Sequence, residues 1–176
     1  MRLVEALEGA SFGLTDGVIC ALGIVIGVAA ATSNTSTVLL AGIIGGIADA
    51  FDNSIGFYVS QLTERSVQIH DKKKGTNQKV HTYHEAVLSG AASFVMTVVI
   101  FSLLISPYAL MSVADAMITS FVIAIVLLMA FGAYVSRLSN ESAWKMALWY
   151  SSLGVVGAIV SYGAGLLLKG VLGLSS

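Results

Sequence analysis

Two aspartates and an asparagine stand close together in a stretch of the sequence that is otherwise apolar. Asp49, Asp52 and Asn53 occupy positions i, i+3 and i+4 within GGIADAFDNSIGFYVS, a spacing that places their side chains on one face of an α-helix. Carboxylate and amide oxygens are ligands for a hard or borderline divalent cation such as Mg²⁺, Mn²⁺ or Fe²⁺. The pattern therefore predicts a helical face that binds a metal ion.

A third carboxylate, Asp16, stands in the first apolar stretch. Both stretches carry small residues on the same face as the carboxylates, which favours close helix packing: Gly13, Gly17, Cys20, Gly23 and Gly27 in the first, and Gly42, Gly45, Gly46, Gly56 and Ser60 in the second. We expect the two stripes to pack together, with Asp16, Asp49 and Asp52 lining one site and Asn53 contributing an oxygen. Clustered carboxylates repel one another, so one of them is expected to hold a proton until a cation displaces it.

The composition says which elements must hold these residues. The chain has 176 residues, of which 56% are hydrophobic and 11% charged, whereas ordinary soluble domains carry about 25% charged residues. A formal net charge of -1 gives no basic excess for a nucleic-acid partner. The lone Cys20 excludes an intramolecular disulfide. These features predict a protein embedded in a lipid bilayer.

A helix crosses the hydrocarbon layer with about 20 apolar residues, and five stretches meet that length. They predict an all-α membrane protein with a single transmembrane domain over residues 1–176, a connection at 62–84, and spans at about 10–31, 38–61, 85–105, 114–136 and 146–168. An ionised carboxylate within such a span costs at least about 2.5–3.5 kcal/mol. The aspartates therefore need either a function or a structural partner.

The distribution of basic residues predicts the orientation, because Lys and Arg collect on the cytoplasmic side. Seven of them lie in the second and fourth connections: Arg65, Lys72, Lys73, Lys74, Lys79, Arg137 and Lys145. The N-terminus is therefore expected in the cytoplasm and the C-terminus outside, with Lys169 as an exception. A prokaryotic plasma membrane is the expected location, and a vacuolar membrane is the alternative.

One phrase occurs twice, as GFYVSQLTERS at residues 56–66 and GAYVSRLSNES at 132–142. The offset of 76 residues predicts that helices two and three repeat as helices four and five in a parallel arrangement. The same offset carries Asp49, Asp52 and Asn53 onto apolar residues, so the polar face belongs to one half only. The alternative is that an interfacial tyrosine beside small residues recurs by chance.

Further metal-binding candidates lie near the predicted cytoplasmic side. His81, His84 and Glu85 share a helical face if the third helix extends that far, a spacing that can hold a transition metal. The alternative is that they are solvated residues at a helix start, where nearby lysines meet anionic lipid. Glu5 and Glu8 are candidates for a collecting vestibule before the first span. Glu64, at the end of the second span, is a further candidate ligand, and the alternative is that it is an interfacial residue.

Three segments resemble the vacuolar iron transporter family: FGLTDGVICALGIVIGVAAA, AGIIGGIADAFDNSIGFYVSQ and GAYVSRLSNESAWKMALWYSSLGVVGAIVSYGAGLLL. The most specific matches are Asp16 and Gly17 in helix one, Gly56, Tyr58 and Ser60 in helix two, and Ser161, Tyr162 and Gly165 in helix five. The resemblance implies a five-helix homodimer that moves Fe²⁺ or Mn²⁺ out of the cytoplasm, in exchange for protons, along helices one and two.

The chain departs from the family pattern in two ways. Phe57 and Asn53 stand where members of the family carry a glutamate and, slightly earlier, a methionine. The better-known members also have a long glutamate-rich cytoplasmic segment between helices two and three, where this chain has LTERSVQIHDKKKGTNQKVHTYHE. Because of these departures, Co²⁺, Zn²⁺ and Mg²⁺ remain further candidate substrates.

Two other function classes remain open. A membrane scaffold or assembly subunit would use the aspartates structurally. An intramembrane aspartyl hydrolase would use Asp16 and Asp52 as a catalytic dyad, but no second catalytic phrase surrounds either residue. We therefore expect a transporter with no enzymatic activity and no permanently bound cofactor.

Overall fold

The computed structural model describes residues 2–76 and 79–173, with side chains described from Ala6 onward, and these residues form five α-helices without a strand. The helices are α1 (Arg2–Thr32), α2 (Thr35–Lys73), α3 (Tyr83–Leu110), α4 (Val113–Ser139) and α5 (Ala143–Leu172). Within the described chain, each helix is long and apolar enough to cross a membrane. The all-helical, five-span prediction is confirmed.

The helix ends follow from local side-chain chemistry. Between α1 and α2, Ser33 adopts a left-handed backbone with φ of 50°, and Asn34 Oδ1 accepts the backbone N–H of Thr37 at 3.0 Å. Ser112 Oγ accepts the backbone N–H three residues further on, at the start of α4. The same helix ends at Asn140, whose φ is 56°. Short polar side chains at these positions satisfy backbone groups that the helices leave unpaired.

The second helix is longer than the apolar stretch that predicts it. It ends at Lys73 instead of near residue 61, which adds about 18 Å at 1.5 Å per residue. The predicted connection at 62–84 is therefore mostly helical. The described residues outside the helices here are 74–76 and 79–82.

The chain contacts group into two compact units. The first unit comprises the residues up to Gly17 together with Ile47–Val99, and the second comprises Val18–Gly46 together with the chain from Ile100 onward. In the first unit α1 approaches α3 so closely that a Cβ atom on Gly9 would overlap the Ser89 carbonyl group. This glycine contact lets two backbones meet without an intervening side chain.

The second unit has an apolar core. Its fully buried side chains come from α1, α2, α3 and α4 and include Leu22, Val25, Val38, Leu104, Tyr108 and Leu128. The hydroxyl of Tyr108 donates to the backbone oxygen of Val25 at 3.4 Å. The phenol therefore has a hydrogen-bond partner where water cannot reach it.

The glycines of the two stripes lie against side chains of several helices. In α2, Cβ atoms on Gly42 and Gly46 would meet large side chains of α3. In α1, Gly27 faces α5, while Gly45 of α2 faces the Ile24 side chain of α1. The glycines of α2 thus lie against both α1 and α3, and the pairing of the two stripes stays a prediction.

The two copies of the repeated phrase have different surroundings. A Cβ atom on Gly56 would meet nothing within 4 Å, whereas one on Gly132 would lie 2.6 Å from the Met146 backbone oxygen. Ser60 is exposed, whereas Ser136 is buried. The parallel repeat stays a prediction.

Candidate metal site

The polar face of α2 is fixed to α3 by a hydrogen-bonded asparagine. Asn53 is 4% exposed, and its Nδ2 donates to Asp49 Oδ2 at 3.1 Å and to Thr97 Oγ1 at 3.2 Å. Thr97 Oγ1 in turn donates to the Gly13 backbone oxygen at 3.4 Å. This chain joins α1, α2 and α3 within the first unit and restrains the Asp49 carboxylate.

The hydrogen bonds also determine which Asn53 atom is available to a cation. A carboxylate can only accept, so the Asn53 nitrogen is the atom directed at Asp49. Both amide protons are then used, one on Asp49 and one on Thr97. The side-chain oxygen is therefore the amide atom with metal-ligand chemistry, and its contribution to a metal site stays a prediction.

The other two predicted carboxylates have different environments. Asp16 on α1 is half-buried, and Asp52 on α2 is exposed. In the described part of the chain, no three His, Cys, Asp or Glu side chains come close enough together to hold a metal ion. The structure therefore brings Asp49 and Asn53 together, and the convergence of all three aspartates stays a prediction.

A second polar cluster joins α1, α2 and the segment before α3. Gln61 is 5% exposed; its Nε2 donates to Glu8 Oε2 at 3.3 Å, and its Oε1 lies 2.8 Å from His81 Nδ1. An amide oxygen can only accept, so Nδ1 carries the hydrogen. In the neutral imidazole, Nε2 then has the lone pair that a metal requires.

The same segment is fastened a second time, further along α2. The buried Gln68 accepts the backbone N–H of His81 at 2.8 Å through Oε1 and donates to Glu64 Oε1 at 3.0 Å through Nε2. Two candidate ligands, Glu64 and His81, are thus held by one amide side chain. The Glu5 side chain lies outside the described residues.

The shared helical face expected of His81, His84 and Glu85 does not form, because α3 begins at Tyr83. Glu85 instead caps that helix: its Oε2 accepts the Thr82 backbone N–H at 2.7 Å, and the Glu85 N–H donates to Thr82 Oγ1 at 3.2 Å. Lys79 lies 2.9 Å from the other carboxylate oxygen. This reciprocal pattern is a capping box, so both Glu85 oxygens have structural partners. His84 is exposed.

The aromatic residue that replaces the family glutamate has a packing partner. Phe57 on α2 stacks against Phe12 on α1, with ring centroids 5.3 Å apart and planes tilted by 40°. An aromatic pair of this geometry stabilises by about 0.5–1.5 kcal/mol beyond its buried area. An apolar contact between the two helices thus stands where the resemblance implies a carboxylate.

Sequence reasoning missed several polar residues of this region. Thr97 was not singled out, nor was Ser93, whose Oγ is buried without a hydrogen-bond partner in the described chain. Gln61 and Gln68 are further polar residues that the sequence analysis does not identify. The available signal is periodicity, because Gln61 lies eight residues after Asn53 and Gln68 lies seven residues after Gln61, spacings close to whole helical turns.

Comparisons with known proteins agree with the motifs. The VIT family model matches residues 7–86 and 69–166, which together exceed half of the chain. An uncharacterized protein of Methanocaldococcus jannaschii is 29% identical over 140 residues, covering 74% of this chain and 73% of that protein. Because the family model spans most of the described helices, the chain belongs to the VIT family, the vacuolar iron transporter family, and is a multi-pass membrane protein of a family that transports divalent metal ions.

Proposed function

We propose that the chain carries Fe²⁺ or Mn²⁺ out of the cytoplasm in exchange for protons. The observation that carries this proposal is the hydrogen bond between Asp49 and Asn53 within an apolar helix. A carboxylate inside a span costs at least about 2.5–3.5 kcal/mol, and the asparagine, itself held by Thr97, directs it. Membership of a divalent-metal transporter family supplies the class of substrate.

The proposed central site comprises Asp16, Asp49 and Asp52, with Asn53 as an oxygen ligand. Carboxylate and amide oxygens bind hard and borderline cations, a range that includes Fe²⁺, Mn²⁺ and Mg²⁺ and that extends to Co²⁺ and Zn²⁺ at such sites. Repulsion among the carboxylates keeps a proton in the empty site, and an arriving cation displaces it. Metal movement is thereby coupled to proton movement.

The surroundings of Asp52 support a homodimer as the working form. Asp52 is exposed on α2 beside large apolar side chains that are also exposed: Ile47 at 55%, Phe51 at 55% and Ile55 at 58%. A carboxylate on such a surface needs a polar partner in a membrane. A second copy placed against this face would cover the apolar residues and bring a second Asp52 to the central site.

The polar cluster at the other end of the first unit is proposed to collect the cation. Glu8 and His81 meet at the buried Gln61, and Glu64 and His81 meet at the buried Gln68, so we propose that the cation is offered these ligands two at a time. Gln61 lies eight residues beyond Asn53, or about 12 Å along α2. His84 is an exposed accessory ligand, while Glu85 contributes through the helix cap.

The proposed direction depends on orientation. The basic residues in and after the last part of α2, at the end of α4 and at the start of α5 favour a cytoplasmic location for these helix ends. The N-terminus is then cytoplasmic and the C-terminus external. We place the protein in a prokaryotic plasma membrane, with a vacuolar membrane as the alternative.

The test is flux into proteoliposomes that contain one dye for metal and one for pH. Fe²⁺, Mn²⁺, Co²⁺, Zn²⁺ and Mg²⁺ are added outside in turn. Molecules whose cytoplasmic side faces the outside of the vesicle are expected to carry the metal in and protons out, which raises the lumenal pH. The Asp16→Asn and Asp49→Asn variants are expected to lose both signals. Asp115→Asn, a matched change at the start of α4, is expected to retain them.

The controls separate this proposal from a structural role for the aspartates. Each variant is first compared with the unmodified protein by thermal unfolding in detergent. A folded Asp16→Asn, Asp49→Asn double variant that transports metal at the unmodified rate would overturn the proposed site. Metal uptake without any change in lumenal pH would overturn proton exchange.

A further inference from the structure

A groove runs along the surface of the second unit, between α1, α4 and α5. It consists of two adjoining cavities of about 300 and 280 Å³ that share Met117 and Tyr162 among their lining residues. One cavity is lined by apolar side chains, including Ile26, Phe121 and Ile159. The other continues towards the ends of the same helices.

The second cavity adds a positive charge to the apolar groove. It is lined by Ser33, at the end of α1, and by Lys169, in the last turns of α5. Lys169 is half-buried and makes no ion pair with any described residue. Asp115, at the start of α4, does not line this cavity. Its Oδ2 accepts a hydrogen bond from Ser112 Oγ at 2.6 Å.

The position of Lys169 in the sequence makes this charge unusual. The other lysines and arginines beyond Arg2 lie in the last part of α2, in the segment after it, at the end of α4 or at the start of α5, whereas Lys169 lies at the opposite end of its helix from Lys145. A lysine near a helix end extends its ammonium group to the headgroup layer while its methylenes remain in apolar surroundings. The groove beneath it would then lie at the depth of the acyl chains.

We propose that this groove is a binding site for one anionic phospholipid. The phosphate lies on Lys169, with Ser33 as a neutral hydrogen-bonding group, and an acyl chain lies between Tyr162 and Phe121. From Lys169 to Ile159 the helix rises about 15 Å, which equals half of the roughly 30 Å hydrocarbon thickness. The groove therefore has the length of one leaflet, with its charge at the headgroup end.

A lipid fits this groove better than a protein partner does. The apolar residues beside it are open to the surroundings, with Ile118 at 62%, Ile159 at 66% and Tyr162 at 42% exposure. A single half-buried cation at the end of an apolar channel complements a molecule that has one charged end and one long apolar tail. That description matches a phospholipid such as phosphatidylglycerol.

The test is native mass spectrometry of the full-length protein in detergent, titrated with phosphatidylglycerol or with zwitterionic phosphatidylcholine. One phosphatidylglycerol per chain is expected to bind more tightly than phosphatidylcholine. The Lys169→Gln variant is expected to weaken phosphatidylglycerol binding about fivefold, the effect expected for one cation near a membrane surface. Lys73→Gln, a matched change at the end of α2, is expected to leave binding unchanged.

A second pair of variants tests the apolar part of the groove. Ile118→Trp fills the groove and is expected to lower binding of both lipids, whereas Val122→Trp, one turn along α4 at 53% exposure, is not. Equal phosphatidylglycerol binding by the unmodified and Lys169→Gln proteins would overturn the proposal. So would an Ile118→Trp variant that loses self-association and keeps its lipid, because the groove would then be a protein interface.

Discussion

Asn53 on α2 and Thr97 on α3 are joined by a hydrogen bond of 3.2 Å between Nδ2 and Oγ1. The same nitrogen holds Asp49 at 3.1 Å, and the same hydroxyl donates to the Gly13 backbone oxygen. One hydroxyl group on α3 thus determines how a carboxylate on α2 is held. The third helix therefore contributes to the candidate site without supplying a ligand.

The first prediction concerns this hydroxyl. Thr97→Val keeps the size of the side chain but leaves one Asn53 proton without a partner and removes the additional hydrogen bond to the Gly13 backbone oxygen. Hydrogen bonds between membrane helices contribute about 0.6–1.7 kcal/mol, so the free energy of unfolding should fall by that amount and metal flux should fall with it. Thr97→Ser retains the hydroxyl and should restore both quantities. Unchanged flux in a folded Thr97→Val protein would show that Asn53 needs no anchor.

The second prediction concerns the close approach of α1 to α3. A Cβ atom on Gly13 would overlap the Ser93 backbone oxygen, whereas one on Gly163 of α5 would meet nothing within 4 Å. Gly13→Ala should therefore destabilise the protein by about 1–3 kcal/mol through overpacking. Gly163→Ala should be neutral or stabilise it by up to about 1 kcal/mol through helix propensity. Thermal unfolding of the two variants in detergent makes the comparison, and equal melting temperatures would contradict it.

The third prediction separates helix capping from metal binding. Glu85→Ala removes the side chain that closes the first turn of α3, at an expected cost of about 0.5–2 kcal/mol. Amide hydrogen exchange should become faster between Thr82 and Glu85, while the metal concentration for half-maximal flux stays the same. His81→Ala should instead raise that concentration. A Glu85→Ala protein with slow exchange and weakened metal use would assign Glu85 to the metal.

The fourth prediction concerns the exposed face of α2. In a Cys20→Ala background, Ile47→Cys should form a disulfide-linked dimer on mild oxidation, because the proposed dimer places this face against its copy. Val126→Cys on α4 is 58% exposed, compared with 55% for Ile47, and should remain monomeric. Non-reducing electrophoresis of oxidised membranes distinguishes them. Equal cross-linking at both positions would contradict a specific interface on α2.

Composition was sufficient to predict the five spans, because a helix that crosses lipid must be apolar over its whole length. The end of α2 could not be located in the same way. Residues 62–73 are largely polar, so hydropathy does not distinguish a helix from a connection there. The buried Gln68 is what reveals a helical face in that segment.

The candidate site was only partly predictable. Asp16 and Asp49 are identifiable from the sequence because an ionised carboxylate in an apolar helix costs free energy in the hydrocarbon layer. Their partners are not, because serine and threonine are ordinary residues in membrane helices and Thr97 lies 44 positions from Asn53. The capping role of Glu85 is hidden for a different reason: its spacing from His81 and His84 indicates a metal site, while the Thr-x-x-Glu pattern that begins at Thr82 indicates a cap.

The turn after α2 is a place where the chain can be lengthened at little cost in free energy. The helix closes with the Gly75 N–H on the Lys72 backbone oxygen, and Gly75 has a φ of 94°. Gln68 and the cap at Glu85 lie on either side of this turn. Lengthening a loop costs only about 0.6 kcal/mol per doubling. A longer segment inserted after Gly75 would therefore cost little, because Gln68 and the cap at Glu85 still fasten the chain on either side of it.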